Sequence, residues 1–294
     1  MGRKLLSVLL FTALVSGSLS AQIFYKIEGN GLSKPSYIFG THHLAPLSII
    51  DSIEGCRTAF NEVEQVVGEI DMTGDQMSLA MKMQPYMMAP QDSTLTKVIS
   101  AEDLARINEE FKKWSPVPGM DLSMLEMMRP MVITSMVSVE MVKRQLPNFN
   151  PQEQLDIYFQ AEGKNMGKSI IGLETPEFQA KLLYTSEPIS TQAKTLIELL
   201  DDPSKNLEKS KELNDAYLAQ NIKKLYELTQ DEDEEESAFM EALVNRRNEN
   251  WIQIIPGLIK DKSSFIAVGA LHLPGDTGVV EGLRKAGYTV TPIE

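Results

Sequence analysis

Tyr37-Ile38-Phe39-Gly40-Thr41-His42-His43 near one end of the chain and Phe265-Ile266-Ala267-Val268-Gly269-Ala270-Leu271-His272 near the other share one plan. In each, a short apolar run meets a glycine, and G-x-x-H follows. These two stretches hold all three histidines of the 294-residue chain. Two further runs have the same shape but end on a carboxylate: Val66-Val67-Gly68-Glu69 and Ile170-Ile171-Gly172-Leu173-Glu174. Continuous apolar runs of this length fit strands buried on both faces, as in a largely parallel sheet. A fifth run, Tyr288-Thr289-Val290-Thr291-Pro292-Ile293, follows a helix-like segment from Val279 to Ala286 that Gly287 caps. The fold class expected is therefore α/β (mixed α+β), with a central, largely parallel sheet.

Ligands of open parallel sheets bind beyond the carboxyl ends of the strands. That rule brings His43, Glu69, Glu174 and His272 to one rim. The glycines allow close backbone approach there. Between the second and fourth runs the periodicity is mainly helical, in two blocks near 76–166 and 176–258. Each is punctuated by prolines such as Pro85, Pro90, Pro116 and Pro118 in the first. They read as insertions forming a lobe over the strand ends, within a single domain spanning 22–294.

Residues 1–21 read as a secretory signal: Arg3 and Lys4, an apolar core from Leu5 to Val15, then the small residues Ser18-Leu19-Ser20-Ala21. The expected protein is exported, to a periplasm or the extracellular space, with no transmembrane segment once the signal is removed. A single cysteine, Cys56, excludes an internal disulfide framework. Its helical surroundings point to a packed thiol rather than a nucleophile. The formal charge of −13 disfavours nucleic acid and anionic lipid as partners. The acidic run Asp231-Glu232-Asp233-Glu234-Glu235-Glu236 reads as solvated surface. Methionines number sixteen. The helical spacing of Met77, Met81 and Met88 favours packing, or an adaptable substrate groove, over copper binding.

Two histidines with one or two carboxylates suffice for a catalytic metal site with an open position. Such a nitrogen–oxygen set suits Zn, Mn, Co or Fe(II). The ion would lower the pKa of its bound water. A metal-free hydrolase uses the same groups otherwise, with His43 or His272 as general base oriented by Glu69 or Glu174. His42 has no assigned role. Arg246 or Arg247, in Asn245-Arg246-Arg247-Asn248, offers a cation for a carboxylate or an oxyanion, or else pairs with nearby acids. Tyr217 offers a hydroxyl from the inserted lobe, or packs as an amphipathic core residue. No G-x-S-x-G, Walker A, dinucleotide fingerprint, H-E-x-x-H or CxxC occurs.

The same residues carry a resemblance to the TraB/GumN family, related to the Tiki metalloproteases. The matching stretches are Tyr37 to His43, Val67-Gly68-Glu69-Ile70-Asp71, Gly172-Leu173-Glu174-Thr175 with Gln179, and Asn245 to Asn248. The last runs from Val268 to Gly275 and on through Leu283 to Val290. The resemblance implies a mixed α/β fold with a helical insertion and peptide hydrolysis dependent on a divalent metal. It places His43 and His272 as the motif histidines and Glu69 as the catalytic or ligating glutamate. Glu174 and Arg246 or Asn248 support them, Glu174 as a further ligand and Arg246 as a catalytic group. Leu271 departs from the small residue the family's second motif carries before its histidine, and is expected to narrow the pocket. Three functions stand at this point: an exported metallopeptidase acting on peptides or proteins, a non-enzymatic peptide or small-ligand binder, and a metal-free, esterase-like hydrolase.

Overall fold

The computed structural model describes residues 22–146, 149–150, 153–230 and 239–293. The expected signal segment 1–21 and the acidic run 231–236 lie outside those residues. A six-stranded mixed sheet organises the chain, with strands β1 (Phe24–Gly29), β2 (Ser36–Thr41), β3 (Gln65–Gly68), β4 (Ser169–Gly172), β5 (Ser264–Gly269) and β6 (Tyr288–Pro292) in the order β4-β3-β5-β2-β1-β6.

The four runs that end on glycine are β2, β3, β4 and β5, and they pair with one another in parallel. Every residue of β2 and β3 is buried, as are Ser264 to Val268 of β5. Full burial is what their unbroken apolar runs require, because helices cover both faces of a parallel sheet. β6 instead alternates buried and exposed residues and pairs antiparallel with β1 at the sheet edge. Its alternation suits a strand with one wet face. β1 is an additional strand, antiparallel to β2, with no counterpart among the sequence expectations.

Register aligns the strand ends. Gly68 pairs with Gly172 and Ala267, and Thr41 pairs with Gly269. The β3–β4 ladder then continues past its glycines: Leu173 N–H donates to Gly68 O at 2.9 Å and Glu174 N–H to Glu69 O at 2.8 Å. A Cβ at Gly172 would lie 2.7 Å from Asp71 N and 3.0 Å from Glu174 O, so only glycine lets the two chains cross here.

Two apolar cores result. The main one lies against the sheet, where Phe39, Phe159 and Phe265 meet with ring centroids 4.6–6.1 Å apart. The second, built around Phe111, Ile133, Val137 and Leu196, belongs to the helical insertions alone. Helix Arg246–Asp261, with Tyr217, Ile222 and Leu225 of the preceding helices, instead joins the second block to the sheet. Its Trp251, Ile255 and Ile259, four residues apart, pack into the main core. Helix Gln76–Met87 buries none of its residues, and Met77 and Met81 are 69% and 67% exposed, so their helical spacing does not mark a packed face. Among the described residues no helix is long and apolar enough to cross a membrane.

Candidate functional site

The ends of β2, β3 and β5 open into a cavity of about 440 Å³ whose walls include Thr41, His42, His43, Glu69, Arg247 and His272. His43, Glu69 and His272 thus meet as the sheet topology requires, β5 bringing His272 between the strands that carry the other two.

His272 closes a single 3-10 turn, Ala270–His272, directly after β5. Its ring is fixed by Asn248. The Asn248 Nδ2 group donates to two carbonyls, His272 O at 3.3 Å and Thr277 O at 3.0 Å. Asn248 Oδ1 therefore faces His272 Nδ1 at 2.7 Å and can only accept, which places the ring proton on Nδ1. Nε2 is left with its lone pair and accepts from Arg247 Nη1 at 3.1 Å. A guanidinium donating to Nε2 excludes a proton there. Burial first, then the Arg247 charge, lowers the His272 pKa to about 4, against the opposing pull of Glu69.

Arg247 is 6% exposed and uses all its donors. Nε and Nη2 grip Glu174 at 2.8 Å each, Nη2 also reaches Glu69 Oε2 at 2.5 Å, and Nη1 reaches Leu243 O at 3.0 Å. The Trp251 ring lies 4.7 Å beneath the guanidinium, and its Nε1 donates to Glu174 Oε1 at 3.0 Å. Glu174 therefore does not line the cavity as a metal ligand. It is a buried counter-ion that holds Arg247. The expected Arg246 is exposed, and it is its neighbour Arg247 that lines the cavity. Arg247 and Asn248 continue the buried face of Trp251, Ile255 and Ile259, which explains the choice.

Glu69 accepts from Gly269 N–H at 2.9 Å through Oε1 and from Gln179 Nε2 at 2.9 Å through Oε2. Gln179 sits one turn inside helix Pro176–Thr185, whose start is set by Thr175 accepting from Phe178 N–H and by Pro176 in the first turn. Burial pushes the Glu69 carboxyl up, but Arg247, His272 and the Gly269 N–H together hold it down at about 2. Glu69 is an anion at any physiological pH.

His43 stands opposite. Its Nδ1 lies 3.4 Å from Asp156 Oδ2, and Thr41 donates to Asp156 Oδ1 at 2.6 Å. Asp156 comes from the first turn of helix Leu155–Asn165 and is absent from the sequence expectations. The Asp156 carboxylate beside it is the main cause that raises the His43 pKa. The His43 side chain is 72% exposed, so solvent screens part of that attraction. His42 also lines the cavity but packs against the inserted lobe. Its ring lies 5.0 Å from that of Tyr217, which is fully buried and donates to Gly40 O at 2.7 Å. Burial, then the His43 charge, lowers the His42 pKa to about 4. Tyr217 is thus the core residue of the two alternatives, its hydroxyl spent on the Gly40 carbonyl. Cys56 is buried and its thiol is pushed up to about 12, which makes it inert.

A divalent ion fits these residues in kind but not in placement. Each motif histidine has Nδ1 engaged, His43 by Asp156 and His272 by Asn248, as metal-ligating histidines do. Yet among the described residues no three His, Cys, Asp or Glu side chains come within reach of one ion. The expected set of His43, Glu69, Glu174 and His272 is therefore not assembled, and the Arg247 guanidinium stands where Glu69 and His272 would share a cation.

A mixed sheet with parallel strand ends converging on two G-x-x-H histidines, a glutamate and a buried arginine defines an α/β protein with an enzyme-like cleft. The chain belongs to the TraB/PrgY/gumN family, which it matches over residues 23–292. It is also similar to a protein named Metalloprotease TIKI homolog from Amphimedon queenslandica, with 23% identity over 345 residues, covering 97% of this chain. The chain spans 65% of that relative's length. No solved structure matches it.

Proposed function

We propose that this protein hydrolyses peptide bonds in the cavity between His43 and His272. The observation that carries the reading is that two histidines of one cavity have opposite surroundings. Amide hydrolysis needs a base for the attacking water and an acid for the departing amine, and environments that push two groups apart supply both. His272, with its proton fixed on Nδ1 by Asn248, offers the Nε2 lone pair as base once a water displaces the Arg247 Nη1 contact. His43, beside Asp156, is the proton donor to the leaving nitrogen. Arg247 then has one donor free for the developing oxyanion, while Glu174 and Glu69 keep it in place.

The printed name of the sponge relative and the engaged Nδ1 atoms favour a second reading, a site that takes Mn, Co, Zn or Fe through His43, Glu69 and His272. Incubation of chelator-treated protein with a peptide library, read by mass spectrometry, tests both. Cleavage that persists without metal and disappears in His272→Ala supports the acid–base reading. Cleavage restored only by an added divalent ion supports the second. No cleavage under either condition overturns the hydrolase and leaves a binding protein. Export is proposed from the pattern of residues 1–21; a mature amino terminus at Met1 on the purified native protein would refute it.

A further inference from the structure

The cavity's polar lining comes from the histidines, Glu69, Asp156, Arg247 and the glutamines Gln154, Gln160 and Gln179. Its other walls are apolar and come from separate elements: Leu182 and Leu183 from helix Pro176–Thr185, Leu213 from helix Pro203–Leu218, Leu225 from helix Ile222–Glu227, and Leu243. Water held against such walls gains little, whereas an apolar side chain placed there leaves water altogether.

Leu271 has a particular place in this wall. In a 3-10 turn, successive side chains point about 120° apart. Ala270 and His272 are buried, and Leu271 between them is half-buried and faces outward. It lines the main cavity and also a second one of about 100 Å³. Met240 and Val244 complete this shared wall. Beyond it the surroundings change to Tyr226, Thr229, Gln230, Glu241 and Asn245. An apolar partition thus separates an apolar chamber from a polar one.

We propose that the site selects substrates by one bulky apolar side chain, of leucine or phenylalanine kind, and that Leu271 is the residue that limits its length. The substrate class is then a peptide with such a residue beside the cleaved bond, a statement that rests on the cavity being the hydrolytic site. Replacing Leu271 by alanine joins the two chambers. The enlarged site accepts longer side chains and tolerates a polar end on them.

Binding of uncleavable probes separates this proposal from the hydrolase reading. N-acetyl-leucinamide, N-acetyl-phenylalaninamide, N-acetyl-tryptophanamide and N-acetyl-asparaginamide are titrated by calorimetry or ligand-observed NMR. The wild-type chain is expected to bind the leucine and phenylalanine amides at least about tenfold more tightly than the asparagine amide. Leu271→Ala is expected to improve the tryptophan amide about tenfold relative to the leucine amide. Leu271→Phe, which fills the chamber, is expected to weaken the phenylalanine amide, so a misfolded alanine variant does not remove the test. Leu218→Ala, at an exposed position outside the cavity, should leave all ratios unchanged. Equal or absent binding of the four amides, or ratios indifferent to both Leu271 variants, overturns the proposal. If the ratios hold but no peptide is cleaved, the hydrolase reading fails and this one stands. If peptides are cleaved with no apolar preference and Leu271→Ala changes nothing, the reverse is true.

Discussion

Replacing Glu174 with alanine removes two charge-assisted bonds to Arg247 and the acceptor of Trp251 Nε1 in one step. The side chains of Glu174 and Arg247 are each 7% exposed, so water does not replace the lost partner. Breaking a buried pair by deleting one member costs about 3–5 kcal/mol, because the other charge stays behind. Glu69 still faces Arg247, which places the expectation near the lower figure. For a chain of this size about 1 kcal/mol moves the melting temperature by roughly 2–4 °C. The drop should then be about 6–12 °C by circular dichroism at pH 7. The double variant Glu174→Ala/Arg247→Met removes the stranded cation and should recover part of the loss, with a coupling of about 2 kcal/mol or more in the cycle. A single-variant drop under about 2 °C, or zero coupling, would show that Glu174 does not hold Arg247 and that the account of the site is wrong.

If His272 is the base and His43 the acid, kcat/KM follows a bell. Activity is lost as pH falls through about 4, where His272 takes a proton, and again as pH rises through the raised pKa of the solvent-screened His43. Asp156→Asn should move the alkaline limb to lower pH, and an unmoved limb would exclude His43 as the acid. The half-buried His42 opposes folding in acid: the unfolded chain binds its proton near pH 6.5, while the folded chain resists until about 4. His42→Phe should therefore reduce the loss of stability between pH 7 and pH 5 by about 1–2 kcal/mol in urea melts. Gly172→Ala would force a Cβ against Asp71 N and Glu174 O, and should cost about 1–3 kcal/mol. A neutral result would mean that the β3–β4 crossing is looser than described.

Three strands of the sheet's parallel half, β2, β3 and β5, were legible because burial on both faces leaves a direct mark, an apolar run with no polar interruption. β4 carries the same kind of run but stands half-buried at the sheet edge. Each such run also ends on the glycine that the rim needs. β1 carried no such mark: Phe24-Tyr25-Lys26-Ile27-Glu28-Gly29 mixes charge into its run, as a strand nearer the edge can. Arg247 rather than Arg246 was in principle readable, since stepping back four residues from Ile259, Ile255 and Trp251 lands on 247. Asp156 was not. Its importance lies in where helix Leu155–Asn165 docks on the sheet, which depends on Phe159 meeting Phe39 and Phe265 rather than on any local pattern. Met77 and Met81 mislead for a related reason: periodicity records a face, and not whether anything covers it.

The strand order carries a temporal consequence. β5 lies between β2 and β3, yet it is made long after either. Until residues 264–269 leave the ribosome, both neighbours present unpaired backbone edges, and the two halves of the cleft have nothing to join them. Such pairing across most of the chain is slow to form. A nascent or truncated chain therefore has neither a finished sheet nor an assembled cleft. Whatever chemistry this protein performs is withheld until residues 264–269 have been made and paired.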